Sequence, residues 1–193
     1  SLGLVGSEMC IRDRFKMTTK RLAILSILLA LGVVFKSVFS IGDGEFRISF
    51  FDIPLFLAGM IAGPFYGGLV ALGTDLIYGL CFSPYPFSFI MMFTTIIWGV
   101  SGGLFYKKPY DNLLSLFIVV LATSLIATAI NSIYLVIHFG FASMLAKLPL
   151  RIVALFCKWP VTTGLINLVY TKVFETKMEN VWQFKKLEKT IKK

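Results

Sequence analysis

Apolar runs recur along this chain at about 18–25 residues, the length that crosses roughly 30 Å of hydrocarbon. They fall at 22–41, 48–62, 65–82, 87–106, 113–139 and 149–174. The second is short for a crossing and holds Pro54. Polar or proline-rich stretches separate the runs: Gly42 to Arg47, Gly63-Pro64, Ser83 to Pro86, Lys107 to Pro109, and a loop from Gly140 to Leu148. In lipid every backbone polar group must find its partner inside the segment, so such runs become helices. The pattern predicts an all-α integral membrane protein with six transmembrane helices. A soluble helical bundle is the competing class, and composition decides against it. The chain is 57% hydrophobic and 15% charged, where a soluble domain carries roughly 25% charged residues. Polar helix faces are missing almost throughout.

Six crossings place both termini on one side. Fourteen of the 19 Lys and Arg residues belong to that side, so the positive-inside rule predicts both termini cytoplasmic. The net charge of +9 is thereby explained by membrane flanks and tail, and no basic patch interleaved with aromatics points to nucleic acid. Residues 1–16 precede Met17 and are expected to be a non-native leader, because residues 1–14 resemble translated sequencing-adaptor sequence. Residues 17–175 form the expected six-helix membrane domain, and 176–193 a basic cytoplasmic tail.

The other five cations, Lys36, Arg47, Lys147, Arg151 and Lys158, fall in the outer half. Two carboxylates, Asp52 and Asp75, lie within the apolar length of a hairpin turning at Gly63-Pro64. Ionisable residues at such depth are functional hypotheses by default. The outer half also collects flat rings. Cations beside aromatic faces suit a planar, anionic organic solute, since Arg takes a carboxylate bidentately and rings stack on a heterocycle. Arg47, Arg151 and Lys158 are the candidates for its anionic groups. Asp75 and Asn131 are candidates for hydrogen bonds to a heterocycle, and Tyr85, Phe89 and Trp159 for stacking. The plain alternative is interface anchoring and internal ion pairing, such as Asp75 with Arg151. Lys36 reads as a side chain snorkelling to the interface, Trp98 as packing, and His138 as an outer-interface residue.

Nothing in the sequence points to catalysis. Cys10, Cys81 and Cys157 have neither disulfide nor metal-site spacing. The segment from Gly63 to Gly68 lacks the Lys and Ser/Thr of a phosphate loop, and no nucleophile or zinc motif occurs. No cofactor is expected, and the energy for any uphill transport must come from a partner or a coupled ion. On the first run Ala23, Ser26 and Ala30 share one small-residue face, the kind that lets another helix approach closely in lipid.

These residues also carry a resemblance. Arg47-Ile48-Ser49-Phe50, Pro54, Gly59, Gly63-Pro64, Gly67 and Thr74-Asp75-Leu76 are similar to the second and third helices of substrate-binding (S) components of energy-coupling factor (ECF) vitamin transporters, the folate group above all. Tyr85 to Ile90 keeps an aromatic, a Pro and a later Phe of that group's pattern, while Trp98 stands where the group often has Arg. Phe51 to Pro54 also resembles a segment of the riboflavin group. The resemblance implies a multi-pass protein of the bacterial plasma membrane that binds a vitamin, folate or a related compound, and has no activity of its own as an enzyme. It implies as partners a transmembrane coupling subunit and two ATPase subunits, docked through the face of Ala23, Ser26 and Ala30, with membrane lipid around it. Riboflavin or pantothenate is the alternative cargo. A small integral membrane lipid-modifying enzyme is the alternative of another class.

Overall fold

The computed structural model describes residues 19–41, 48–83, 87–106 and 113–175. The leader 1–16, the tail 176–193, Arg47 and Tyr85 lie outside the described residues. Six α-helices run through the described residues: α1 (Thr19–Ser37), α2 (Asp52–Ala62), α3 (Pro64–Cys81), α4 (Phe89–Gly102), α5 (Leu113–Phe139) and α6 (Phe141–Val169). A 3-10 turn, Gly103–Phe105, continues α4, and a π-helical turn, Tyr170–Glu175, continues α6. Between α1 and α2 a two-residue antiparallel pair joins β1 (Ser40–Ile41) to β2 (Ile48–Ser49), with Ser40 opposite Ser49.

The middle of the molecule is α2, all eleven of whose residues are buried. Proline at its third position is tolerated because the first-turn N–H groups have no intrahelical acceptor to lose. The helix stops at Gly63, whose φ of 97° is open to glycine and strained for other residues. Its N–H still reaches the Gly59 carbonyl at 2.8 Å, and Pro64 opens α3 with the φ that a helix start needs. The reversal therefore takes a single residue.

Glycines bring α2, α3 and α4 together at backbone contact. A Cβ on Gly67 would lie 2.6 Å from the Gly59 Cα, and one on Gly59 would lie 2.7 Å from the Gly103 nitrogen. A Cβ on Gly99 would strike the Gly67 carbonyl carbon at 2.6 Å. Helices in lipid associate by such close packing, since lipid chains are as apolar as leucine. Phe56, fully buried, then fills the space beside this contact, edge-on to Trp98 with ring centroids 6.4 Å apart. The inner face of α1 (Leu25, Leu28, Gly32, Val33) closes the bundle, with Gly32 against Thr74.

Helices α5 and α6 are longer and more peripheral. Only Thr162, Thr163 and Ile166 of α6 are buried. These two are long and apolar enough to cross a membrane by length and composition, while α2 and α4 are shorter apolar helices. Large apolar side chains point outward from every long helix, among them Leu22, Ile27, Leu80, Ile118 and Phe156. Such a surface suits a lipid solvent and would be an aggregation liability in water.

The structure corrects one expected boundary. Gly140 to Leu148 is not a loop: α6 starts at Phe141 and the connection is Gly140 alone, at φ 85°. Phe141, Met144, Leu145 and Leu148 repeat at helical spacing, so the stretch extends α6 by two turns.

Candidate functional site

A cavity of about 310 Å³ opens at the end of the bundle away from the Gly63 turn. The shortness of α2 makes room for it. Eleven residues rise about 16 Å, roughly half of a 30 Å hydrocarbon core. Phe51 and Asp52, at the start of α2, form part of the cavity wall. The rest comes from the matching ends of the other helices: Lys36 from α1, Asp75 and Tyr78 from α3, and Met91 to Trp98 from α4. Ser124 to Tyr134 of α5 and Arg151 to Trp159 of α6 complete it.

Two ion pairs organise the polar lining. Lys36 pairs with Asp75, and Lys158 pairs with Asp52. Both carboxylates are buried, with side chains 6% and 2% exposed, whereas Lys158 keeps 26% of its surface. Thr95 supports the first pair, its hydroxyl lying 3.1 Å from the Asp75 carboxylate and 3.4 Å from the Lys36 ammonium. Each ammonium also sits near rings. Lys36 is 4.8 Å from the Phe51 centroid and 5.1 Å from that of Tyr78, and Lys158 is 5.9 Å from Phe51 on its side. The Phe51 ring thus has two cations within reach of its centroid, each drawn to it electrostatically.

Neutral polar groups fill the adjoining wall. The Thr94 hydroxyl donates to the Asn131 side-chain oxygen at 3.3 Å. Arg151 donates to the Ser132 hydroxyl at 3.4 Å, across the seam between α6 and α5. Trp159 donates its indole N–H to the Phe117 carbonyl at 3.0 Å and stacks on the Phe117 ring at 3.9 Å, which fixes its plane in the wall.

Of the residues singled out from the sequence, Asp75, Asn131, Arg151, Lys158 and Trp159 line this one cavity. Phe89 does not line it: the side chain is 67% exposed and packs against Phe87, which does. Arg47 and Tyr85 are outside the described residues. The expected alternative pairing of Asp75 with Arg151 is replaced by Asp75 with Lys36. Lys36 accordingly turns inward rather than snorkelling. Its signal was present, for Leu25, Leu28, Gly32 and Lys36 share one helical face. Thr94, Thr95 and Trp98 of α4 share a face in the same way, and the sequence reading missed them together with Phe51 and Tyr78. Trp98 both packs on Phe56 and lines the cavity. His138 is exposed and stacks on Tyr134. Among the described residues no group of three or more His, Cys, Asp or Glu converges as metal ligands would. The lining instead offers three cations, two carboxylates, amide and hydroxyl groups, and flat rings. That set grips an organic solute by charge, hydrogen bonds and stacking.

The exposed face of α1 is a second feature. Ala23, Ser26 and Ala30 all point away from the bundle. The Ser26 hydroxyl donates to the Leu22 carbonyl at 2.9 Å, so this face has no unmet donor of its own.

Comparison with solved structures places the chain beside a crystal structure of FolT bound with folic acid. The TM-score is 0.73 at 24% identity, over 81% of this chain and 96% of that one. A search of curated protein sequences returns no match. The profile of the family described as "ECF transporter, substrate-specific component" matches residues 20–178. The fold is thus that of an all-α membrane protein, and its class is a transporter component rather than an enzyme. With most of its length matched, the chain belongs to the family of substrate-specific components of ECF transporters.

Proposed function

We propose that this chain captures folate or a closely related vitamin in the cavity bounded by the Lys36–Asp75 and Lys158–Asp52 pairs. The observation that carries the reading is the joint lining of that cavity: cations, paired carboxylates and ring faces at one end of the bundle. A pteridine-like ring has a mixed donor and acceptor edge for the Asp–Lys pairs and Asn131, and flat faces for Trp98 and Trp159. Arg151 and Lys158 suit the carboxylates that such a vitamin carries, and Arg47 and Tyr85 join the site in this reading. The likeness to the structure of FolT bound with folic acid supports the same cargo.

In this reading the six helices form a multi-pass protein of a bacterial plasma membrane, with both termini cytoplasmic. The count of basic residues supports the orientation, and the cavity then faces outward. The short α2 crosses only the inner part, and the cavity takes the remainder. Solute moves inward only with the help of a transmembrane coupling subunit and two ATPase subunits. The exposed face of Ala23, Ser26 and Ala30 is the proposed dock. A stabilisation assay on the purified chain tests the cargo. Folic acid at about 100 times its dissociation constant should add roughly 2.7 kcal/mol to stability. A larger gain with riboflavin or pantothenate would reassign the cargo, and no gain with any of the three would overturn the reading.

A further inference from the structure

The walls of the solute cavity are not held alike. Helix α5 is buried at intervals along its length, at Leu116, Val120, Thr123, Ala127, Ser132 and Leu135. Helix α6 is buried only at Thr162, Thr163 and Ile166. From Phe141 to Val161 none of its residues is buried. Yet every α6 residue that lines the cavity, from Arg151 to Trp159, belongs to that loosely packed part. A stretch with few buried contacts is one that opens at low free energy.

Two prolines bracket the same stretch, Pro149 and Pro160, both inside α6. Each lacks the N–H that would bond the carbonyl four residues back, which is Leu145 or Phe156 here. Sharp bends in helices localise at such positions. Pro160 divides the helix, with the buried anchor on one side and the cavity lining on the other. The pivot itself is held. The Thr163 hydroxyl donates to the Trp159 carbonyl, and the Trp159 indole to the Phe117 carbonyl, both at 3.0 Å. Polar contacts tie the lining segment to its neighbours, Lys158 to Asp52 of α2 and Arg151 to Ser132 of α5. The Lys158 side chain keeps 26% of its surface. If the segment leans outward, water reaches both members of the Lys158–Asp52 pair at once. Neither charge is then stranded in a dry place, which is the costly way to break a buried pair.

We propose that the α6 segment between Pro149 and Pro160 is a movable wall of the solute cavity. It bends at Pro160 to admit solute, and the Lys158–Asp52 pair latches it shut. The bending stands on the packing of α6 alone. The closing on solute rests in addition on the proposed folate site, because Arg151 and Lys158, the cations that suit its carboxylates, both ride on this segment. A change of about 20° at Pro160 moves Val153, seven residues away, by about 4 Å. The test measures spin-label distances by pulsed electron spin resonance on the full chain, with Cys10, Cys81 and Cys157 replaced by Ser. One labelled pair is Val153 with Leu80, and the control pair is Leu168 with Leu69, all four exposed. Without solute, the first pair should show a second component about 4 Å longer, as that bend requires, and the control pair a single one. A single component for Val153 with Leu80 overturns the bending. Folic acid should remove the longer component, and its persistence in the bound protein overturns the closing. Asp52→Asn should enlarge the longer component, and no change overturns the latch. Pro160→Ala restores a donor to the Phe156 carbonyl, so it should slow folic acid association about tenfold. Gly164→Ala, in the anchored part, should leave the rate as in wild type. An unchanged rate in Pro160→Ala, or equal slowing by both, overturns the entry role. The distances are read first without solute, so a chain that bends but never binds folic acid refutes the cargo and not the movable wall.

Discussion

Asp52 shows how this protein keeps charge in an apolar place. Its carboxylate is 2% exposed and its partner, Lys158, is the more accessible of the two. Removing one member of a buried pair strands the other, a loss of about 3–5 kcal/mol, whereas removing both is often neutral. Lys158→Met should therefore lower unfolding stability in detergent by about that amount, and Asp52→Asn with Lys158→Met should recover most of it. The double variant should still fail to bind folic acid, which separates the role in folding from the role in capture. If the single variant is as stable as wild type, the pair is not formed in the protein. Thr95 offers a subtler case. Thr95→Val removes a hydroxyl at 3.1 Å from Asp75 without changing shape. A loss of about 1–3 kcal/mol is expected for a buried hydrogen-bonding group, read as a lower thermal midpoint. The charged residues of the candidate site were legible one by one, since charge in an apolar run declares itself, whereas neutral ones such as Thr94 and Thr95 were not. The pairing was not. Which carboxylate meets which cation depends on how α1 and α6 lie against the hairpin, and one-dimensional spacing does not contain that.

Helices here meet in two ways, and the difference is visible in single glycines. Gly67 is in backbone contact with Gly59 and Gly99, whereas nothing lies within 4 Å of a Cβ placed on Gly164. Gly67→Ala must push two helices apart, and about 1–3 kcal/mol of destabilisation is the least expected for such overpacking. Gly164→Ala should instead gain about 0.5–1 kcal/mol, the backbone freedom that glycine gives up in a helix. Thermal unfolding of the two variants side by side checks this, and equal shifts would refute the close contact. The repeat of Gly59, Gly63 and Gly67 disclosed a tight hairpin in advance, because small residues and a Gly-Pro step leave little else to form. The α5–α6 junction was hidden for the opposite reason. One glycine at positive φ can reverse a chain without any polar loop, and the Ser and Lys in 140–148 disguised a helical repeat as a connector.

At the scale of the molecule, α1 joins the two proposed functions. Its inner face carries Lys36 into the cavity, and its outer face presents Ala23, Ser26 and Ala30. Ser26 and Lys36 are ten residues apart, about 15 Å along the axis. A bulky group on the outer face cannot reach the solute, yet it holds off any helix that docks there. Ser26→Trp or Ala30→Trp should therefore leave folic acid binding by the purified chain unchanged. The same variants should abolish uptake by cells that also express the proposed partners, a coupling subunit and two ATPases. Fold class and membrane character were readable from the recurrence of apolar runs alone, because most of those runs approach the length that hydrocarbon thickness sets. The outward exposure of the small face was not, since the same three residues could have packed inward. Their exposure in the folded chain is why the uptake assay is decisive. Loss of binding along with transport would mean that the face supports the bundle, and normal transport would mean that the partner docks elsewhere.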